Sequence, residues 1–201
     1  MALALDQSGS ALYLLDAEGV LHAWTLSESA DGLIVATPQP WSVPEQKYTG
    51  LAFSPDQRWL ACGKNDGQVD LLDPISGTIR TSITRTGTSS EARGRITALA
   101  FSPDSRTLAV GDQAGTLELW SLPGSNLPMM TAPEPSIRML KFPPHVGSVG
   151  PIAFDRSGRF LASAGDDKIV QIWGLDQIEQ NFENLHLNWT RPVTRPSSAQ
   201  P

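Results

Sequence analysis

The sequence predicts an all-β protein made of four repeated antiparallel units and ending in a short C-terminal helix. Three observations carry this. The segment "FSPDQRWLACG" at 53–63 returns as "FSPDSRTLAVG" at 101–111 and "FDRSGRFLASA" at 154–164, with a worn copy, "LDQSGSALYLL", at 5–15. Each copy is followed by a turn signal and a second apolar segment. From first large apolar residue to last, Leu5 to Trp24, Phe53 to Leu72, Phe101 to Trp120 and Phe154 to Trp173 all span 19 positions. The starts lie 48, 48 and 53 residues apart, so the unit is fixed while the connections vary. A period near 50 marks a repeat architecture, in which neighbouring units cover one another's faces.

Turn chemistry sets the elements within a unit. In "ITALAFSPD" an apolar strand stops at Ser102-Pro103-Asp104, where proline presets φ and the Ser and Asp side chains can bond backbone N–H groups. Gln57 and Ser105 follow these Ser-Pro-Asp turns; if that position is left-handed, each costs about 1–2 kcal/mol. The second strand, "RTLAVG", runs into a tight turn. Asp66-Gly67 is a strong type I′ hairpin signal, and Glu18-Gly19 and Ala114-Gly115 are weaker forms. The third strand, such as "TLELW", is largely apolar on both faces, as in a sheet covered on both sides. A fourth strand is clearest in "SGTIRTSI" at 76–83. Units so drawn occupy about 2–36, 49–83, 96–141 and 146–175 of an array over 1–175.

Beyond Trp173 the period changes. Leu175, Ile178, Phe182 and Leu185 recur at helical spacing and Asp176 suits a helix start, which predicts a helical extension over 176–187. The Pro/Ser-rich residues 188–201 are expected to be disordered. Two connections are Pro-rich, 37–46 and 122–145. Each reads either as a surface loop or as a partner-binding loop, with Trp41, Met129 and Met130 as apolar contacts.

The net charge of −6 and pI near 5.0 argue against broad binding to nucleic acid or anionic membranes, which needs clustered Lys and Arg. With 40% hydrophobic residues the chain is too apolar for general disorder. Cys62, the single cysteine, excludes an internal disulfide, lies in an apolar run and fits a reducing compartment. The N-terminus lacks a basic region, and no run reaches the roughly 18 apolar residues of a membrane helix. A cytoplasmic location is expected.

The pattern F-S-P-D-x-R-x-L-A-x-G, the Asp-Gly turn and the terminal Leu-Trp resemble the WD40 repeat of β-propellers, over residues 2 to 175. The resemblance implies blades set radially around a channel. It also implies a buried hydrogen-bonded set of His, Ser, Asp and Trp, whose positions the fourth unit fills with His145, Ser163, Asp167 and Trp173. The second unit keeps only Asp66, beside Pro44, Cys62 and Leu72. The third keeps only Trp120, beside Ala92, Val110 and Ala114. Rings of this family usually have six to eight blades, so four units are expected to form an open arc or the C-terminal part of a larger signalling protein. Closure of two arcs as a homodimer is a further expectation. The helix resembles the extension that ends some bacterial propeller proteins.

No nucleophile elbow, zinc-protease motif, Walker loop, dinucleotide fingerprint or EF-hand is present, and one Cys with three scattered His makes no zinc site. No metal or cofactor is expected. Lys64, Asn65, Asp66, Asp112, Gln113 and Asp166 are expected on the face carrying the connecting loops, where the resemblance implies binding of partner peptides. The leading function is a non-catalytic protein-interaction scaffold. The alternatives are a propeller-type hydrolase with a channel metal site and a partial gene product without independent function. A channel site needs polar ligands from several blades, whereas the first strands read "LAL", "GLAF", "TALAF" and "PIAF".

Overall fold

One turn, used four times, starts each hairpin of the computed structural model, which describes residues 2–6, 8–39, 41, 46–85, 94–122 and 137–184. Asp6, Ser54, Ser102 and Asp155 occupy equivalent positions, and each side chain accepts the backbone N–H five residues on, from Ala11, Trp59, Thr107 and Phe160 at 2.8, 3.0, 3.0 and 2.7 Å. Three residues after each, the chain turns left-handed: Gly9 at φ 71°, Gln57 at 62°, Ser105 at 60° and Gly158 at 72°. Two of the four copies therefore hold a side chain where glycine is favoured.

The strands follow in order as β1 (Ala2–Leu5), β2 (Ala11–Leu15), β3 (Leu21–Glu28) and β4 (Ile34–Pro38); β5 (Tyr48–Phe53), β6 (Leu60–Lys64), β7 (Val69–Leu72) and β8 (Ile79–Ile83); β9 (Ile96–Phe101), β10 (Thr107–Asp112), β11 (Leu117–Ser121) and β12 (Ile137–Lys141); and β13 (Val149–Phe154), β14 (Phe160–Gly165) and β15 (Val170–Gly174). They form four antiparallel meanders, sheets 1 to 4, the last with three strands among the described residues. Helix α1 (Leu175–Asn184) follows β15 directly. Its Leu175 is buried and Ile178 packs beside it against sheets 3 and 4. The side chain of Phe182, Leu185, the tail at 188–201, and Met129 and Met130 lie outside the described residues.

The second turn of each unit differs from the type I′ expectation. Gly67 has φ 79° but Asp66 is not left-handed, whereas type I′ needs two such residues. The loop is a three-residue turn closed by one left-handed residue, as the Lys64 N–H to Gln68 O bond of 2.9 Å requires. Gly19, Gly115 and Lys168 take the same place. At Gly115 glycine is also needed for approach: its carbonyl accepts the His145 N–H at 2.9 Å, and a Cβ would stand 2.1 Å from the His145 carbonyl oxygen.

Every sheet has a backward face, toward the preceding sheet, and a forward face, toward the next. Tyr13, Leu15, Leu21 and Ala23 on the forward face of sheet 1 pack on Leu60, Cys62 and Leu72. Ala61, Val69 and Leu71 of sheet 2 meet Leu108, Val110 and Trp120 of sheet 3. Ala109, Leu117 and Leu119 in turn meet Leu161, Phe154 and Trp173 of sheet 4. The first strands β1, β5, β9 and β13 lie side by side in that order, and among the described residues no comparable packing joins β13 to β1. Trp41 lies in the first junction. Its ring is 5.3 Å from that of Tyr13, and its indole N–H donates to the Ile75 carbonyl at 3.1 Å. The connection that carries Trp41 thus uses it for blade packing.

Replacing the exposed Gln57 with glycine relieves its left-handed strain, and Gly158→Ala introduces the same strain. Urea unfolding should show Gln57→Gly more stable by about 0.5–1 kcal/mol and Gly158→Ala less stable by about 1–2 kcal/mol.

Candidate functional site

The fourth sheet brings three of the four expected polar residues into one chain of hydrogen bonds. His145, 3% exposed, holds Ser163 Oγ at 2.8 Å through Nε2 and Asp167 Oδ2 at 3.0 Å through Nδ1. Asp167 also accepts the N–H of Val146 at 3.1 Å and of Ile169 at 3.0 Å. Desolvation pulls the Asp167 carboxyl upward, but those two N–H groups and the His145 ring outweigh it and hold it below the usual carboxylate range. Trp173 does not join. Its indole N–H has no hydrogen-bond partner among the described residues, and its ring packs at 4.7 Å against Phe142. The set fixes the lead-in to the blade, and Trp173 contributes area.

Sheets 2 and 3 carry a different buried polar device, which the sequence reading missed. Asp70, on β7 directly opposite Cys62, is 1% exposed and accepts from Tyr48 Oη at 3.2 Å and Ser82 Oγ at 2.6 Å, with Lys64 Nζ at 3.1 Å. Glu118, at the equivalent place on β11 opposite Val110, is 3% exposed. It accepts from Arg85 Nε at 2.7 Å, Trp120 Nε1 at 3.2 Å and Arg138 Nη1 at 3.1 Å. Arg85 Nη1 reaches Asp112 Oδ2 at 2.8 Å. The signal was available: a lone carboxylate interrupts the apolar strands "VDLL" and "LELW" at positions 48 apart. Burial, and then Asp70, push the Cys62 thiol well up, so it stays protonated and unreactive.

These pairs remove two residues from the expected binding face. Asp112 is buried, paired with Arg85, and its Oδ1 accepts the N–H of Ala114 and Thr116 at 2.9 Å each. Lys64 turns inward to Asp70 and to Gln46 Oε1, at 3.3 Å. A buried carboxylate holds the nearest cation, so neither group faces solvent freely.

Asn65, Asp66, Gln113 and Asp166 are exposed. Gln113 and Asp166 meet Arg95, Ser148, Thr49 and Thr97 around an open depression of about 380 Å³, where β5, β9 and β13 begin. Asp166 accepts the Ser148 N–H at 3.1 Å, and the Gln113 N–H donates to the Arg95 carbonyl at 2.8 Å, which fixes the rim. Among the described residues no group of three or more His, Cys, Asp or Glu side chains is placed to hold a metal ion, and no helix is long and apolar enough to cross a membrane.

The family model for "WD domain, G-beta repeat" matches residues 43–73, 83–121 and 137–174. WD repeat-containing protein 44 of Xenopus laevis is 40% identical over 57 residues, 28% of this chain and 6% of that protein. U3 small nucleolar RNA-associated protein 7 of Saccharomyces cerevisiae is 38% identical over 71 residues, 35% of this chain and 10% of that protein. The chain thus spans a tenth or less of these curated relatives. A chain of the mitotic checkpoint complex superposes with TM-score 0.63 at 19% identity, over 87% of this chain and 47% of its own length. The computationally designed Ika4 protein superposes with TM-score 0.58 at 20% identity, over 86% and 89%. These two likenesses are of fold.

Removing Arg85 takes the shared cation from two buried carboxylates, leaving Glu118 to Arg138 and Trp120 and Asp112 to two backbone N–H groups. Arg85→Met should therefore cost about 3–5 kcal/mol in urea unfolding. Arg80→Met, which breaks the solvent-facing pair with Asp73, should cost no more than about 1 kcal/mol. The pH dependence has a definite sign. Asp6, Asp155 and Asp167 all lie below their ordinary 3.8, because hydrogen bonds to each carboxylate outweigh desolvation. Their stabilisation is complete above that value and is lost as pH falls through the lowered folded-state values. Urea midpoints should hold from pH 7 to about 5 and drop below about 4, with a shallower drop in Asp167→Asn.

Proposed function

Because the chain belongs to the WD40-repeat family of β-propeller proteins, we propose that it is a non-catalytic scaffold holding an extended segment of a partner protein on the face that carries its turns. The observation behind this reading is the depression between sheets 2, 3 and 4, where Arg95, Gln113, Ser148 and Asp166 converge. A guanidinium, an amide, a hydroxyl and a carboxylate around a shallow opening suit the alternating carbonyl and N–H groups of a polypeptide. A small-molecule site is instead concave and mostly apolar. Members of the family are generally scaffolds rather than enzymes, and the checkpoint neighbour is by its title part of a protein complex. The hydrolase alternative needs metal-binding side chains converging from several first strands, and β1, β5, β9 and β13 carry no Asp, Glu, His or Cys.

The reading extends to two finer points. The array would serve equally as the recognition arm of a longer signalling polypeptide, and the intact mass of the endogenous product tests that. A buried, protonated Cys62 suits the reducing cytoplasm, whereas the yeast relative is named for a small nucleolar RNA. Imaging of a tagged chain separates cytoplasm from nucleus.

Selection of a random twelve-residue peptide library on the purified chain tests the site. Selected peptides should bind Arg95→Glu at least about tenfold more weakly, a loss of about 1.4 kcal/mol, with the melting temperature unchanged. Peptides that bind the wild type and Arg95→Glu alike would place recognition elsewhere.

A further inference from the structure

The ends of the array expose what its interior buries. On the forward face of sheet 4, Val170 and Ile172 are 65% and 69% exposed. At their register positions sheet 2 has Val69 and Leu71, and sheet 3 has Leu117 and Leu119, all fully buried against the next sheet. Phe160, Ala153 and Ala162 continue the same uncovered face. On the backward face of sheet 1, Leu3 and Leu5 are 59% and 51% exposed, in register with Leu14 and Leu12. Their counterparts Leu51 and Phe53, then Leu99 and Phe101, pack against the sheet before.

Sheets 1 and 4 of the array thus present the two complementary halves of an interface that is built three times between them. Two titratable groups of β3 share the backward face: His22, which pairs with Asp16 at 2.8 Å and stacks on Trp24, and Glu28, exposed where β3 ends. We infer that two copies of this chain associate head to tail in a closed dimer, the backward face of sheet 1 in each copy covering the forward face of sheet 4 in the other. A sheet of three or four five-residue strands spans on the order of 300 Å² of plane, from strand spacing and rise. Closure engages two such faces per copy, about 600 Å² before side-chain relief is counted. That approaches the roughly 800 Å² per partner of a standard stable interface. Head-to-tail contacts of this kind form rings when the rotation closes and open polymers when it does not.

Light scattering on the purified 201-residue chain should give about twice the 21.7 kDa of one chain across a wide range of concentration. Leu5→Asp and Ile172→Asp, both at exposed positions, should each give a monomer with the far-UV circular dichroism spectrum unchanged. An equimolar mixture of the two variants keeps one intact junction and should form a heterodimer at higher concentration than the wild type needs. A wild type that is monomeric at all concentrations, or that forms an open series of larger species, overturns the closed dimer. So does an Ile172→Asp variant that stays dimeric while Leu5→Asp is monomeric, because backward faces would then be packing on each other.

Discussion

A β-sheet that is apolar on both faces cannot exist alone in water, and this constraint organises the molecule. Leu60 and Ala61 are neighbours on β6, both fully buried, and they point to opposite sides. One belongs to the junction with sheet 1 and the other to the junction with sheet 3. Leu108 and Ala109 repeat the arrangement one sheet on. Stability is thus shared between neighbours, and each sheet acts both as core for the one before and as platform for the one after. Burial of side chains this size contributes about 1.5–3 kcal/mol apiece relative to exposure.

The polar devices follow from the same stacking. Each sheet must also hold the chain segment that arrives at it from the sheet before. In sheet 4 this is solved by His145, Ser163 and Asp167. In sheet 2 it is solved by Asp70 with Tyr48 and Lys64, and in sheet 3 by Glu118 and Asp112 around Arg85. Three chemically different sets do one job, which is to tie a residue of the arriving chain (His145, Tyr48 or Arg85) to the second or third strand of the sheet or to the turn between them. Such ionic sets add little net stability over apolar replacements of the same shape, but each is costly to break singly.

The fold was legible because its signals are local and repeated. The Ser-Pro-Asp turn, the constant 19-residue span and the doubly apolar third strand all appear in the structure as read. Two things escaped. The turn at Asp66-Gly67 has three residues rather than two, because Lys64 pairs with Gln68, and so one residue instead of two is left-handed. The inward paths of Lys64 and Asp112 depend on Asp70 and on Arg85, the latter 27 positions away, a pairing that no periodicity encodes. Gln113 and Asp166 read as surface residues and are on the surface, yet their convergence with Arg95 required the stacking of three sheets.

The long connection between β11 and β12, within sheet 3, is held at both ends. On one side the Leu122 N–H bonds the Arg106 carbonyl at 2.9 Å. On the other, β12 zips onto β11 and His145 is fastened twice, by its backbone to Gly115 and by its ring to Ser163 and Asp167. Sheet 3 is therefore anchored immediately before and immediately after residues 123–136. This is the natural graft point of the array, where new sequence can be carried as cargo without renegotiating the packing on either side.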